Sequence, residues 1–439
     1  MNDYDVARLT EVLRGDGYER TENPDEADLV LINTCSVREK AEAKVASAAG
    51  RYREWKHKPG AVLAIGGCVA QQEGAKLLKR IPHADLTFGP DQIKNVPSLL
   101  QRVRAERQRI ATTAVIDVED YTFLDADPQP SDVKVSALVT IQKGCDNHCA
   151  FCIVPATRGR EVSRPADEVV AEVQRFVALG AREVTLIGQN VNSYHAIGTD
   201  DDFAELLARV DGVAGLERLR FTTSHPKDFT PQVARAFRDL RTLGSWLHLP
   251  VQSGSSRTLK RMVRGYTREE YLEKVEYVRQ LVPDISLTTD IIVGYPGESA
   301  EDFAETLSLL ERVEFDSIYS FEYSERPETP ALKLKLYDDV SAEIKAERLQ
   351  EVQRLQRGIT ARRFSRYVGQ EVEVLVEGES RASRTQACGR TRGNHMVNFH
   401  LGAAKSPAEL AGQLVGVTIE AARTNTLVGR WVGRAGAAA

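Results

Sequence analysis

The sequence contains no apolar run near the roughly 20 residues that a membrane-crossing helix requires, so no bilayer span is expected. Its opening residues, "MNDYDVARLT", have neither the basic nor the apolar stretch of a secretory leader, which points to the cytoplasm. Cysteine is scarce, with six in 439 residues. Disulfides are rare in a reducing compartment, so a cysteine cluster here reads first as a metal or catalytic site. An excess of positive charge is lacking too: the formal net charge of −5 argues against a uniformly basic nucleic-acid coat. No solenoid-type repeat occurs, and the one low-complexity tract is the end, "GRAGAAA".

Charge is nevertheless uneven. From Arg366 onward there are nine Lys and Arg against six Glu and no Asp, a balance of +3 that leaves −8 for residues 1–365. The length and a hydrophobic content of 42% are ample for two or three packed domains, each with its own core.

Residues 28–33, "DLVLIN", and 61–67, "AVLAIGG", are short apolar runs ending in small or polar turns. The helix-like stretches "VREKAEAKVASAAGRYREW" and "QQEGAKLLKRI" follow them, which is the alternation of a parallel α/β sheet. "DLTFG" and "DQIKNVPSLLQRVRAERQR" add a further unit. The acidic, aperiodic "VEDYTFLDADPQPSDVK" carries two prolines and reads as a linker, giving an N-terminal domain at 1–117.

From about residue 134 the alternation resumes with the strand-like "VSALVTIQ", "REVTLIGQ", "LERLRFTT", "SWLHLP", "ISLTTDIIVG" and "FDSIYSFEYS". Six or so βα units in series predict a full or partial (β/α) barrel over 131–365, in which function gathers at the C-terminal strand ends. The motif-rich segments fall there: a cysteine loop after the first strand, "GQN" after the second, "TSHP" after the third, "HLPVQSGS" after the fourth and "VGYPGE" after the fifth. A charged helix, "SAEIKAERLQEVQRLQRGITARRFSRY", follows. Residues 366–434 then hold short alternating strands with Gly-containing turns, predicting a small closed β-barrel.

The stretch "QKGCDNHCAFCIVPATRGR", residues 142–160, places Cys145, Cys149 and Cys152 in one C-x3-C-x2-C loop. Three thiolates from one segment form the softest ligand set available, suited to zinc or to an iron–sulfur cluster. A structural zinc would want a fourth ligand, for which His148 is the candidate. A cubane held by three thiolates instead leaves one iron open to a substrate, and the spacing favours that reading. Taken alone, Cys35 and Cys68 read as core cysteines after strands, and Cys388 as a small apolar residue of the terminal barrel.

With Phe151 just before its last cysteine, and placed after the first strand of a (β/α) barrel, the loop resembles the signature of the radical S-adenosylmethionine (SAM) enzymes. The flanks "NTCSVREKAE", "GGCVAQQEG", "IVPATRGREVSRP", "LIGQNVNSY", "RFTTSHP", "HLPVQSGS" and "DIIVGYPGE" resemble the methylthiotransferases of that superfamily over nearly the whole chain. "NTCSVREKAE" and "HLPVQSGS" favour the branch acting on isopentenyladenosine in tRNA. The resemblance implies an α/β protein of three parts: a parallel α/β N-terminal domain, a central partial TIM-like radical SAM barrel and a C-terminal OB-like TRAM barrel that grips RNA. It implies that Cys145, Cys149 and Cys152 hold a 4Fe-4S cluster that cleaves SAM. Cys35 and Cys68 become ligands of a second, auxiliary 4Fe-4S cluster that delivers sulfur. The methylthio group goes onto C2 of an adenosine next to the tRNA anticodon. Gln189, Asn190, Ser224, His225, Gln252 and Ser253 line the barrel mouth as SAM and base contacts. Arg381, Arg384, Arg390 and Arg392 meet tRNA phosphates. A reducing donor such as flavodoxin and a monomeric enzyme complete the expectation.

The family brings three cysteines to the auxiliary cluster, the first in a G-C-Q-M-N turn. This sequence begins "MNDYD" and supplies two, so a start placed at an internal Met is expected. Two alternatives stay open: a methylthiotransferase acting on another modified adenosine or a ribosomal-protein aspartate, and a non-catalytic zinc RNA-binding protein.

Overall fold

The computed structural model describes all residues except 37–38, 126, 197, 199–200, 382, 403–405 and 435–439. Val37 and Arg38 of the expected first helix, and most of the "GRAGAAA" end, therefore lie outside the described residues. The chain forms two compact units, one of Met1–Pro128, Gln142–Val162 and Arg326–Pro330, the other of Gln129–Ile141, Ser163–Glu325 and Ala331–Ala439. No helix among the described residues is long and apolar enough to cross a membrane.

The first unit is built on an all-parallel sheet with strands Leu29–Thr34, Val62–Gly67, Leu86–Phe88 and Ile110–Thr112 in that order. Apolar residues coat both faces, as a parallel sheet requires. Leu9, Val62, Ala64, Leu86, Phe88 and Leu100 pack on one side, and Val45, Leu63, Ile65, Val69 and Leu77 on the other. The helix-like "QQEGAKLLKRI" is broken at Gly74, whose φ of 50° ends one helix, Cys68–Glu73, and starts another, Ala75–Arg80. Two elements were not expected: the helix Asn2–Gly15, which supplies Leu9 to the core, and the short fourth strand. The expected linker takes part in this unit, because the Tyr121 ring lies 4.0 Å from Lys143 Nζ. That ammonium is buried in an ion pair with Asp91 at 2.7 Å, and Asp91 also accepts the Ile116 N–H at 2.9 Å.

The second unit holds six parallel strands in two sheets. One contains Ser136–Thr140, Glu183–Ile187 and Arg218–Phe221, the other Trp246–His248, Ser286–Val293 and Ser317–Glu322. A bridge between Leu219 and Leu243 joins them into the partial barrel. Several outer helices start where the sequence offers reciprocal caps: Asp202 with Glu205, Thr267 with Glu270, and Ser299 with Asp302. Side chains alternate along each strand, so Phe221 meets Phe203 and Phe237 on the helix side while Arg218 and Arg220 lie on the opposite, inner side.

A five-stranded closed barrel follows, ordered Glu371–Ser380, Ser383–Thr391, Met396–His400, Leu427–Arg434 and Leu414–Ala422, around Val374, Val376, Ala387, Val397, Phe399 and Val417. The second of these strands, "SRTQACGRT", was not expected. Cys388 on it is half-buried between the buried Ala387 and Gly389, and its Sγ donates to Glu379 O at 3.4 Å. It is thus a half-buried residue of the terminal barrel, set on a strand between buried neighbours.

The hairpin leaving that strand closes the N-terminal ends of the larger barrel. Arg218 donates to Arg390 O at 2.6 Å, and Arg220 donates to Thr391 O at 2.8 Å and to Arg392 O at 3.1 Å. Arg220 Nε also meets Glu183 at 2.8 Å. Burial, then the neighbouring Arg220, pulls Arg218 down to about 10. Asp316 sits 3.4 Å from His395 Nε2 and 2.8 Å from Arg363. Arg362 and Arg366 reach Glu314 at 3.0 and 3.5 Å, so the basic end of the helix Ala342–Ser365 is directed onto barrel carboxylates.

Candidate functional site

In the first unit, Thr34 and Gly67 are register partners on adjacent parallel strands, so Cys35 and Cys68 leave the same sheet edge side by side. Strands so paired run about 4.8 Å apart. The Thr34 hydroxyl ties the two exits together, donating to Gly66 O at 2.6 Å and accepting the Val69 N–H at 3.2 Å. Gly67 has φ 92°, and a Cβ there would lie 2.3 Å from Thr34 O, which accounts for the second glycine of "GGC".

The C-x3-C-x2-C loop belongs to the same unit. Its neck is closed by Gly144, where a Cβ would meet Arg160 O at 1.9 Å, and by a Cys145 N–H to Gly159 O bond of 3.3 Å. Asp146 pairs with Arg160 at 2.8 Å and accepts the Glu161 N–H at 3.0 Å. Inside, Cys152 N–H donates to Cys149 O at 3.0 Å. Cys149 is buried, and Cys145 and Cys152 are partly open. Burial, opposed by a hydrogen bond from Asn147 and reinforced by Cys149, pushes the Cys145 thiol up to about 11. Arg158, on the short helix after the loop, reaches Cys68 of the other cysteine pair. It pairs with buried Asp5, Nη1 to Oδ1 at 3.2 Å, and it also hydrogen-bonds the Cys68 thiol. Burial works against this guanidinium's charge, but Asp5 and then Cys68 outweigh it and hold its proton.

None of the six cysteines is joined in a disulfide. Among the described residues no three His, Cys, Asp or Glu side chains gather closely enough to hold a single ion, with His148 included. Cys145, Cys149 and Cys152 are three soft donors carried on one short loop, a set whose chemistry suits an iron–sulfur cluster.

The other predicted site residues lie in the second unit, at the C-terminal ends of successive barrel strands. The loops after the second and third strands are stitched by the Val191 N–H to Thr223 O bond, 3.0 Å, and by Asn190 Nδ2 to Asp228, 2.7 Å. Asn190, Ser224 and His225 are buried, and Gln189 is partly open. Burial, with Arg264 and Lys227 adding to it, pushes His225 down to about 2, and its Nδ1 accepts the Lys227 N–H at 3.2 Å. Neutral His225 thus caps the turn at Pro226. After the fourth strand the main chain is clamped by Tyr266 to Val251 O at 2.8 Å, Tyr271 to Leu249 O at 2.9 Å and Arg264 to Pro250 O at 2.9 Å. Gln252 is held at φ 76° by backbone bonds to Asp290 and Ile292, and Ser253 is fully buried behind it. In "VGYPGE", Glu298 accepts Gly294 N–H and pairs with Arg348, both at 2.6 Å, a turn-holding role.

Sequence reasoning passed over Asn192. Its amide nitrogen and oxygen are both buried without a protein partner, as is Ser224 Oγ. Such groups are rare in a finished interior, so they fit a polar ligand held at this end. Asn192 lies two residues beyond Asn190 in the quoted "LIGQNVNSY", which was the available signal.

A partial parallel barrel whose first strand runs into a three-cysteine loop defines a radical SAM protein, and residues 139–310 match the Radical SAM superfamily. Residues 1–89 match Uncharacterized protein family UPF0004, and residues 365–432 match the TRAM domain. Among solved structures, the radical S-adenosylmethionine methyltransferase TsrM from Kitasatospora setae shares the fold at a TM-score of 0.54 with 16% identity, over 75% of this chain and 71% of that one. A tRNA-2-methylthio-N(6)-dimethylallyladenosine synthase of Myxococcus xanthus is 50% identical over 98% of this chain and 92% of its own length. Enzymes of the same name from Geobacter metallireducens (48%; 98% and 95%) and Methylococcus capsulatus (45%; 99% and 93%) are similar throughout. The chain belongs to the tRNA-2-methylthio-N(6)-dimethylallyladenosine synthase family.

Proposed function

We propose that this protein methylthiolates C2 of N6-isopentenyladenosine (the dimethylallyl derivative) beside the anticodon of tRNA. The observation that carries the reading is identity of 45–50% over 98–99% of the chain to relatives bearing that enzyme's name. Cys145, Cys149 and Cys152 hold the radical SAM 4Fe-4S cluster, which with SAM supplies a radical able to take hydrogen from an unreactive carbon. Cys35 and Cys68, side by side at one sheet edge, are ligands of the auxiliary cluster that carries sulfur. Gln189, Asn190, Ser224, His225, Gln252 and Ser253 form the mouth that binds SAM and base, joined by Asn192. In that set His225 acts by holding its loop, and Ser224 and Asn192 offer unmatched hydrogen-bonding atoms.

The work divides among residues 1–117, 131–365 and 366–434, for sulfur delivery, radical chemistry and RNA binding. Arg381 and Arg384 are exposed on the terminal barrel and suit phosphate contacts. Arg390 is paired with Glu377 at 2.9 Å, and Arg392 donates to Leu243 O at 2.8 Å, so Arg392 serves the barrel joint. The enzyme works in the cytoplasm, where its tRNA substrate is, as a monomer taking electrons from a donor such as flavodoxin. Mass analysis of tRNA nucleosides from cells with and without the gene tests the reading. Deletion should abolish 2-methylthio-N6-isopentenyladenosine and leave N6-isopentenyladenosine to accumulate. Persistence of the methylthio nucleoside overturns it.

A further inference from the structure

The fourth, fifth and sixth barrel strands pair in a register that sets Trp246 beside Ser286, His248 beside Thr288 and Asp290 beside Tyr319. Side chains alternate between faces of a strand. Leu247, Leu287 and Ile291 are therefore buried on the helix side, and Trp246, His248, Thr288, Asp290 and Tyr319 share the inner side. There the Trp246 and His248 rings are 6.3 Å apart and nearly parallel at 19°, and the Tyr319 ring stands edge-on to His248 at 5.9 Å. His248 Nδ1 lies 3.0 Å from Thr288 Oγ1, and its Nε2 lies 3.6 Å from Asp290. Tyr319 is 51% exposed.

A closed (β/α) barrel fills its interior with branched aliphatic side chains. This inner wall instead carries a series of rings that ends on an open tyrosine next to a carboxylate. At its lower end the hairpin from the terminal barrel closes the interior, through Arg218, Arg220 and Arg392. The wall suits a flat, neutral, partly apolar group with a hydrogen-bond donor, and its carboxylate disfavours phosphate.

We propose that the Trp246–His248–Tyr319 wall with Asp290 seats the target base and selects its isopentenyl group. An adenine ring stacks on aromatic side chains, as bases splayed from RNA loops do. Its N6–H is a donor for Asp290, and the isopentenyl chain covers apolar ring surface that unmodified adenosine leaves wet. The inference rests on the tRNA reading above and deepens it by naming the residues that distinguish the modified base.

The test uses the full-length holoenzyme and two anticodon stem–loop RNAs that differ only in N6-isopentenyladenosine or adenosine at the target position. Dissociation constants are measured for wild type, Tyr319→Ala and Tyr319→Phe across a salt series. Wild type should prefer the isopentenylated RNA, and Tyr319→Ala should cut that preference roughly 4- to 30-fold, the scale of one to two or three methylene groups of the isopentenyl chain no longer covered. Tyr319→Phe should keep it, and the salt dependence should be the same for all three, which separates loss of the wall from loss of fold. An unchanged preference in Tyr319→Ala overturns the wall and leaves the tRNA reading standing. Equal affinity of wild type for both RNAs overturns the wall together with the assigned substrate.

Discussion

At the N-terminal ends of the barrel strands, Arg218 and Arg220 point at three carbonyl oxygens of the terminal barrel's hairpin, Glu183 backs Arg220, and Asp316 is held by His395 and Arg363. At the C-terminal ends, Ser224 Oγ and both polar atoms of the Asn192 amide are buried without protein partners, and Thr223 and Gln252 sit at φ 73° and 76°. A buried polar group left unmatched costs about 1–3 kcal/mol. One end of a single barrel matches its buried charges within the chain, and the other keeps polar atoms and strained backbone in reserve. The difference separates the end that fixes the architecture from the end at which the proposed SAM and base contacts lie.

The sharpest way to break the comparison is at the matched end. Arg220→Met leaves Glu183 buried without its cation and two carbonyls without a donor, which should lower stability by about 3–5 kcal/mol in urea unfolding. A change below about 1 kcal/mol, the range of an ordinary surface substitution, would mean that the joint is not held by these charges.

Asp316 gives a pH-dependent version of the same test. Burial alone would raise its pKa, but the hydrogen bond and charge of His395 and the Arg363 cation prevail and hold it below 3.8. A carboxylate whose folded pKa is depressed contributes stability that is present above its unfolded value and lost as pH falls through the folded one. Asp316→Asn should therefore cost about 3 kcal/mol at neutral pH. The gap from wild type should hold down to about pH 5 and shrink below about pH 4. A gap that does not change with pH would contradict the assignment.

At the open end the effects move from stability to binding. Because each removes buried polar atoms without a partner, Asn192→Ala and Ser224→Ala should not lower folding stability, and Ser224→Ala should raise it by about 1 kcal/mol. Each should weaken SAM binding about tenfold, one hydrogen bond's worth, in anaerobic titration calorimetry. The smallest effect is on the terminal barrel. Arg381→Ala and Arg384→Ala should each lower the slope of log tRNA affinity against log salt by about one. Arg392→Ala should leave that slope alone and reduce stability, since its guanidinium binds Leu243 O.

Much of this could be read from the sequence. Alternation in "LERLRFTT" and "SWLHLP" marked barrel strands, and the 145–149–152 spacing marked the cysteine loop before any geometry was at hand. What stayed hidden depends on contacts between distant segments. Arg218 and Arg220 look like the solvent side of an ordinary amphipathic strand, and they are buried because a hairpin more than 170 positions later covers them. Arg392 looked like a phosphate contact for the same reason. The strand Ser383–Thr391 lacks a β-branched run and exists because its neighbours pair with it on both sides. Asn192 lies within "LIGQNVNSY", but its unmatched burial follows from how two loops pack.

The most direct measurement is 5′-deoxyadenosine formation by the anaerobically reconstituted protein with SAM and a reductant, compared with Cys149→Ala. If the loop holds a cubane with one iron open to SAM, wild type should produce 5′-deoxyadenosine and the variant none, because two thiolates do not retain that cluster. Production by Cys149→Ala at the wild-type level would contradict the radical assignment.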